Sequence, residues 1–92
     1  MDNIFGMNKM KIGGRAIVKK VCTKGEMRRR FCDLGIIEGT EVECVGKSPS
    51  GDPTAFLIRG AVMALRSEDS GEVLVFPIDT GVSFGGKFNG SD

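Results

Sequence analysis

Short apolar runs recur through the middle of the chain, and clusters of turn-forming residues separate them. The runs are RAIVKKVC from Arg15, TEVECVG from Thr40, TAFLIRG from Thr54, AVMALR from Ala61 and EVLVF from Glu72. They are rich in β-branched residues and are bounded by glycine, proline or polar residues, which is typical of strands. The pattern therefore predicts a mainly β domain of about five short strands.

The alternation within these runs predicts that one face of the sheet is buried. Along Thr40–Gly46, Val42 and Cys44 fall on one side while glutamates occupy the other, as in a half-buried strand. Along Arg15–Cys22 the alternation is imperfect, because Lys20 falls on the same side as apolar residues. A sheet this small buries one face by curling into a barrel.

The stretch 23–36 has helical periodicity instead. Met27, Phe31 and Leu34 recur at i, i+4 and i+7, which forms one apolar stripe along a helix. We therefore expect a helix of about ten residues that braces the barrel with this stripe.

Both ends of that helix carry recognisable signals. Thr23 and Glu26 form the T-x-x-E pattern of a capping box at its start. Gly35 follows the last stripe residue, where a left-handed glycine ends many helices, and Ile36 then packs back on Phe31. These signals predict where the helix begins and ends.

The remaining segments are turns and termini. Ser48–Pro53 (SPSGDP) is dense in turn residues and is predicted to be a loop, while Ser67 is a candidate N-cap for a second helix of about one turn. We assign residues 1–12 to a flexible N-terminal arm, 13–77 to the barrel and 78–92 to a flexible, glycine-rich tail.

Length and charge limit the classes of function. The 92 residues suit one domain, and the net charge of +1 lacks the basic excess typical of nucleic-acid modules. There is no tryptophan or tyrosine on which bases would stack. No apolar run approaches the ~20 residues that span a bilayer, and the first residues lack the layout of a signal peptide. We therefore expect a cytoplasmic protein that binds no nucleic acid and does not insert into a membrane.

The chain offers little material for catalysis or for metal binding. It contains no histidine, and its three cysteines, Cys22, Cys32 and Cys44, form no CxxC pair. Glu38, Glu41 and Glu43 could supply oxygens to a metal, and the last two share a strand face. Alternating acids on a hairpin are more often solubilising. We predict no enzymatic activity, no cofactor and no metal site.

Three consecutive arginines, Arg28, Arg29 and Arg30, lie on the predicted helix. They could grip phosphate, form part of a docking surface, or simply be a solvated helix face. Their position away from the Met27–Phe31–Leu34 stripe places Arg28 and Arg29 outside the core.

Three blocks of the sequence together resemble a known family. MRRRFCDLGIIEGTEVECV, SPSGDP and MALRSEDSGEVLV occur in the order and spacing of ferrous iron transport protein A, the FeoA family. The resemblance covers roughly residues 14–76. The positions that match the family pattern are Arg29, Arg30, Leu34, Gly35, Gly39, Thr40, Gly51, Asp52, Pro53, Leu65 and Arg66. Phe31 and Cys32 depart from it, since aliphatic residues are usual there, and so does Gly71, which interrupts a helix that is often longer.

The resemblance implies an SH3-like barrel and a small cytoplasmic accessory to the large membrane GTPase that transports ferrous iron. On this basis we predict that the transporter's GTPase part is the partner. The predicted partner-binding residues are Arg28, Arg29, Gly51, Asp52 and Pro53. Similar domains form the C-terminal part of iron-dependent transcriptional repressors. The alternative function is therefore a regulatory domain that responds to divalent transition metals.

Overall fold

This structure, a computed structural model, describes residues 3–78. These residues contain six strands and two α-helices. In chain order they are β1 (Phe5–Gly6), β2 (Arg15–Val21), α1 (Gly25–Leu34), β3 (Glu41–Lys47), β4 (Thr54–Ile58), β5 (Ala61–Leu65), α2 (Ser67–Ser70) and β6 (Val73–Pro77). A 3₁₀ turn, Met7–Lys9, follows β1. The predicted mainly β class with two short helices is confirmed.

The strands form one antiparallel sheet in the order β1-β6-β2-β3-β4-β5. The inward-facing residues of this sheet form the core together with Phe31 of α1. Because β3, β4 and β5 follow one another as hairpins, β5 lies at one edge of the sheet and β1 at the other.

A bulge in β2 explains its imperfect alternation. The register with β6 shifts between Val18 and Lys20, which inserts an extra residue into the strand. Val18 and Val21 therefore both face the core, although they are three positions apart, and Lys19 and Lys20 are both exposed.

The start of the chain differs from the prediction of a loose arm. Phe5 and Gly6 pair with β6, and Met7 and Met10 are buried in the core, with 0% and 3% of their surface exposed. The prediction of an arm over 1–12 is therefore wrong for residues 5–10, which belong to the barrel. A two-residue strand has no periodicity, and its partner lies at the far end of the sequence. The predicted tail, 78–92, lies outside the described residues apart from Ile78.

The end of α1 is as predicted. Gly35 has a left-handed backbone (φ 92°), and its N–H donates to the Cys32 carbonyl at 3.0 Å. The Ile36 N–H donates to the Phe31 carbonyl at 2.8 Å, and both side chains are buried. These two hydrogen bonds define a Schellman ending.

The start of α1 is not the predicted capping box. The helix begins at Gly25, so the N-cap position falls on Lys24. The Lys24 side chain makes no capping hydrogen bond. Thr23 therefore lies one position too early to act as the cap. Its buried Oγ1 has no hydrogen-bond partner among residues 3–78.

Candidate docking surfaces

A basic surface surrounds the start of α1. Lys20, Lys24 and Arg28 line a groove of about 420 Å³ at the junction of β2 and the helix. Arg29, the next residue, is exposed. The two lysines lie before the helix in the sequence, and no local pattern there indicates that they share a surface with Arg28.

Arg28 is less free than the sequence suggests. Its Nη1 donates a hydrogen bond of 2.7 Å to the Val21 carbonyl, which ties α1 to the end of β2. Arg28 therefore has an architectural role as well as a charge on the basic surface, whereas Arg29 has no hydrogen bond or ion pair among residues 3–78.

The loop between β3 and β4 is anchored to α2 through Asp52. The Oδ1 atom of Asp52 accepts hydrogen bonds from the Ser67 N–H at 2.8 Å and from the Ser67 Oγ at 3.3 Å. Ser50 Oγ donates to the Asp52 carbonyl, and the Gly51 N–H donates to the Ser48 carbonyl. The carboxylate of Asp52 is therefore held against the start of α2.

Asp52 thus caps α2 from another part of the chain, in place of the predicted N-cap Ser67. The N-cap residue by position is Arg66, whose side chain makes no capping bond. Gly51, Asp52 and Pro53 are nevertheless exposed. Arg28 is held against β2, and the loop that contains Asp52 is held against α2. The predicted partner-binding residues therefore lie on two separate elements, α1 and the loop before β4.

An acidic groove of about 540 Å³ runs along β3 and the turn before it. Glu38, Glu41 and Glu43 line it together with Arg59. Glu41 is engaged, because Arg15 Nη2 lies 2.6 Å from its Oε2 and Arg15 Nε donates to the same oxygen. These acids therefore form a charged rim that Arg15 and Arg59 partly balance.

Metal-binding side chains are dispersed in the part of the chain that the structure describes. No three His, Cys, Asp or Glu side chains between residues 3 and 78 are grouped so as to hold an ion. Cys44 is buried, Cys22 is half-buried and Cys32 is exposed on α1, and all three are free thiols.

A third groove, of about 380 Å³, separates α1 from β5. The helix contributes Met27, Phe31 and Leu34, and the strand contributes Met63 and Leu65. The periodicity of α1 predicts that its whole apolar stripe lies in the core. Phe31 is buried, but Leu34 is 37% exposed and Met27 is half-buried, so part of the stripe lines this open groove.

A small antiparallel sheet, braced by one helix and carrying grooves and charged surfaces, defines a small β-barrel domain. The FeoA domain family matches residues 5–77. The chain therefore belongs to the FeoA family.

Solved structures agree with this assignment. A FeoA-like protein from Clostridium acetobutylicum is 35% identical, with a TM-score of 0.74 over 82% of this chain and 87% of that one. FeoA of Stenotrophomonas maltophilia, solved as a zinc complex and described as a prokaryotic SH3 domain protein, is 27% identical. Its TM-score is 0.68 over 76% of this chain and 87% of that one. The predicted SH3-like barrel is confirmed.

A relative joins two proteins in one chain. The Fe(2+) transport protein A/Fe(2+) transporter FeoB fusion protein of Porphyromonas gingivalis is 26% identical over 69 residues. The match covers 75% of this chain, which spans 8% of that relative's length.

A manganese-dependent transcriptional repressor has a TM-score of 0.75 at 15% identity, over 85% of this chain and 44% of the repressor. At that identity the likeness shows the fold alone. Among residues 3–78 no helix is both long and apolar enough to cross a membrane.

Proposed function

We propose that this protein is a cytoplasmic, non-enzymatic accessory of ferrous iron uptake that docks on the GTPase part of a membrane iron(II) transporter. The observation that carries the proposal is the Porphyromonas gingivalis fusion, in which a relative of this domain shares one chain with a transporter. Two proteins that are fused in one organism are often partners when they are separate in another.

The basic surface at the start of α1 is the part of the domain that we assign to this contact. Lys24 and Arg29 are exposed, and Lys20 and Arg28 line the adjacent groove. Complementary charge chiefly accelerates association and orients the partners. The Ser48–Pro53 loop is a second candidate contact, in which Gly51 and Pro53 are exposed while the Asp52 carboxylate is bound to Ser67.

Association kinetics with the full-length transporter test the assignment. A Lys24→Ser/Arg29→Ser variant removes two exposed charges and leaves the bond from Arg28 to Val21 intact. We expect association roughly tenfold slower at low ionic strength, and a flatter dependence of the rate on salt. Co-purification with and without GTP then tests whether the contact depends on the nucleotide.

The matched control removes the same charge elsewhere. Lys9 and Lys11 are exposed and line a different groove, beside β1 and the start of β2. A Lys9→Ser/Lys11→Ser variant should associate at nearly the parent rate. Equal rates for both double variants would show that only net charge matters and that the α1 surface is ordinary solvated surface. Failure of the parent domain to co-purify with the transporter would overturn the docking proposal itself.

A further inference from the structure

Among residues 3–78, strand β5 is an edge strand whose outer backbone groups have no partner. Arg59 and Gly60 connect it to β4, and both have positive φ (53° and 84°), as in a two-residue type I′ hairpin. In such a hairpin the closing pair, Ile58 and Ala61, exchanges both hydrogen bonds, and bonded pairs then alternate along the ladder. The N–H and C=O groups of Val62 and Ala64 therefore point away from β4 and out of the sheet.

This edge lacks the features that usually protect edge strands. Natural edges carry lysine, proline or a bulge that prevents another strand from pairing. β5 reads AVMAL, its register with β4 is unbroken, and Val62 is 65% exposed. The opposite edge of the sheet, β1, is only two residues long. Of the two edge strands among residues 3–78, β5 is therefore the longer one with which an added strand could pair.

The groove between α1 and β5 lies directly beside this edge. Its apolar lining comes from Met27 and Leu34 on the helix, with Phe31 beneath, and from Met63 and Leu65 on the strand. Successive side chains of an added strand point to opposite sides. Every second side chain of a segment paired with β5 would enter this groove, and the backbone would bond to Val62 and Ala64.

The rim of the groove is mainly basic. Arg30 of α1 and Arg66, which follows β5, line it with one acid, Asp69. Between residues 3 and 78 the one ion pair joins Arg15 to Glu41, so neither rim arginine is neutralised by a carboxylate. A segment with acidic residues beside its apolar ones would complement this rim.

We propose that β5 and α1 form a strand-addition site for an extended, apolar and acidic segment of a partner protein. This proposal is independent of the docking surface above, which uses the start of α1. Main-chain hydrogen bonds to β5 would hold the segment, and the groove and the rim arginines would select its side chains.

A second copy of the chain fits the site less well. Antiparallel pairing of two β5 strands would place Val62 of each copy opposite Ala64 of the other. The same register places Arg66 opposite Gly60, one residue from Arg59 of the other copy. The paired segment of a second copy, residues 60–66, carries Arg66 and no acidic residue that could complement the rim, so charge favours an acidic partner over self-association.

Two synthetic peptides and nuclear magnetic resonance test the proposal on the full chain. The probes are blocked peptides of about eight residues, a common strand length, in which valine alternates with glutamate or with lysine. We expect the glutamate peptide to shift the amide signals of Val62 and Ala64, to protect both amides from hydrogen exchange, and to bind more tightly than the lysine peptide.

Variants separate backbone pairing from other causes. Ala64→Pro removes one outward N–H without touching the bonds to β4, a position where proline is tolerated, and Ala64→Val keeps that N–H. Binding of the glutamate peptide should weaken at least about fivefold in the proline variant, the loss expected for one net hydrogen bond. The valine variant should bind nearly as the parent does. If the proline variant does not fold, Arg30→Glu/Arg66→Glu provides the test, because it should reverse the preference between the two peptides.

Four results would overturn the proposal. The first is that neither peptide perturbs Val62 and Ala64, and the second is that the charge reversal leaves the preference unchanged. The third is that these amides are already protected in the free monomer, which would mean that the chain covers its own edge. The fourth is concentration-dependent dimerisation through β5, which would make a second copy the occupant.

Discussion

At the scale of single residues, Gly35 combines two constraints. Its backbone is left-handed (φ 92°), and a Cβ added there would overlap the Cδ atom of Arg59. Gly35→Ala should therefore destabilise the domain by more than the ~1–2 kcal/mol of a left-handed residue with a side chain. Urea unfolding of the variant measures this free energy.

The matched control for this change is Gly39→Ala. Gly39 has nearly the same φ (91°), but a Cβ there would meet no atom within 4 Å. The stability lost in Gly39→Ala therefore measures only the cost of a side chain on a left-handed backbone. Repeating Gly35→Ala in an Arg59→Ala background should bring its cost down to that of Gly39→Ala. If the two glycine variants lose equal stability in the parent, the Arg59 side chain moves aside freely and the contact is unimportant.

Phe31 is the second residue with a defined consequence. It is 1% exposed, and it contacts the core through the stripe of α1 and through the Schellman ending. Phe31→Ala should cost roughly 3–5 kcal/mol of unfolding free energy, as is usual for emptying a buried aromatic site. Leu34→Ala, on the same stripe but 37% exposed, should cost clearly less. Equal losses would mean that the groove beside β5 is closed in solution.

At this scale, roles set by neighbouring residues could be predicted from the sequence, whereas hydrogen bonds between side chains and distant backbone groups could not. The role of Gly35 follows from a few adjacent residues, and it could be predicted because a left-handed helix end favours glycine. The bond from Arg28 to the Val21 carbonyl depends on how α1 packs on β2. No spacing in the sequence indicates that contact.

At the scale of elements, α2 depends on a residue from another loop. Asp52 Oδ1 accepts the Ser67 N–H, so the one-turn helix has an acidic cap that is remote in sequence. Asp52→Ala should reduce stability by about 0.5–2 kcal/mol. Asp52→Asn retains an oxygen acceptor and should lose much less. Thermal unfolding of the two variants provides the comparison, and an equal loss in both would mean that the charge, rather than the hydrogen bond, stabilises α2.

Elements with a clear period could be predicted, and those defined by distant partners could not. β2 to β6 and α1 appear close to their expected positions, because alternation and the apolar stripe are local. β1 is short and pairs with β6, and the cap of α2 lies in the loop before β4. Both depend on contacts that form only after the chain has folded.

At the scale of the whole molecule, the metal content of the domain stays a prediction. The three cysteines are free, and residues 3–78 contain no group of three or more possible ligands. The domain purified without chelator should hold well below one equivalent of zinc or iron after dialysis, by elemental analysis. Near-stoichiometric metal that survives dialysis would support the alternative of a metal-responsive domain. In that case Cys22→Ser and Cys32→Ser variants would identify a thiolate contribution.

The family and the barrel could be predicted from the sequence because three separated blocks agree in order and spacing. The docking residues were a weaker prediction, since they rest on exposure and charge. The structure shows that Asp52 and Arg28 already have partners within the domain. Lys24 and Arg29 are therefore the better probes of the proposed contact.

The pairing of β1 with β6 has a consequence for how the protein is made. As a ribosome synthesises the chain, Met7 and Met10 emerge early, whereas β6, beside which β1 lies, emerges last among the described strands. A nascent chain arrested before Val73 would leave β2 without one of its two neighbours and β1 with none. Late closure of this kind leaves apolar segments exposed during translation. Met7 and Met10, which are buried in the complete domain, therefore lack part of their core contacts until the segment that forms β6 has been synthesised.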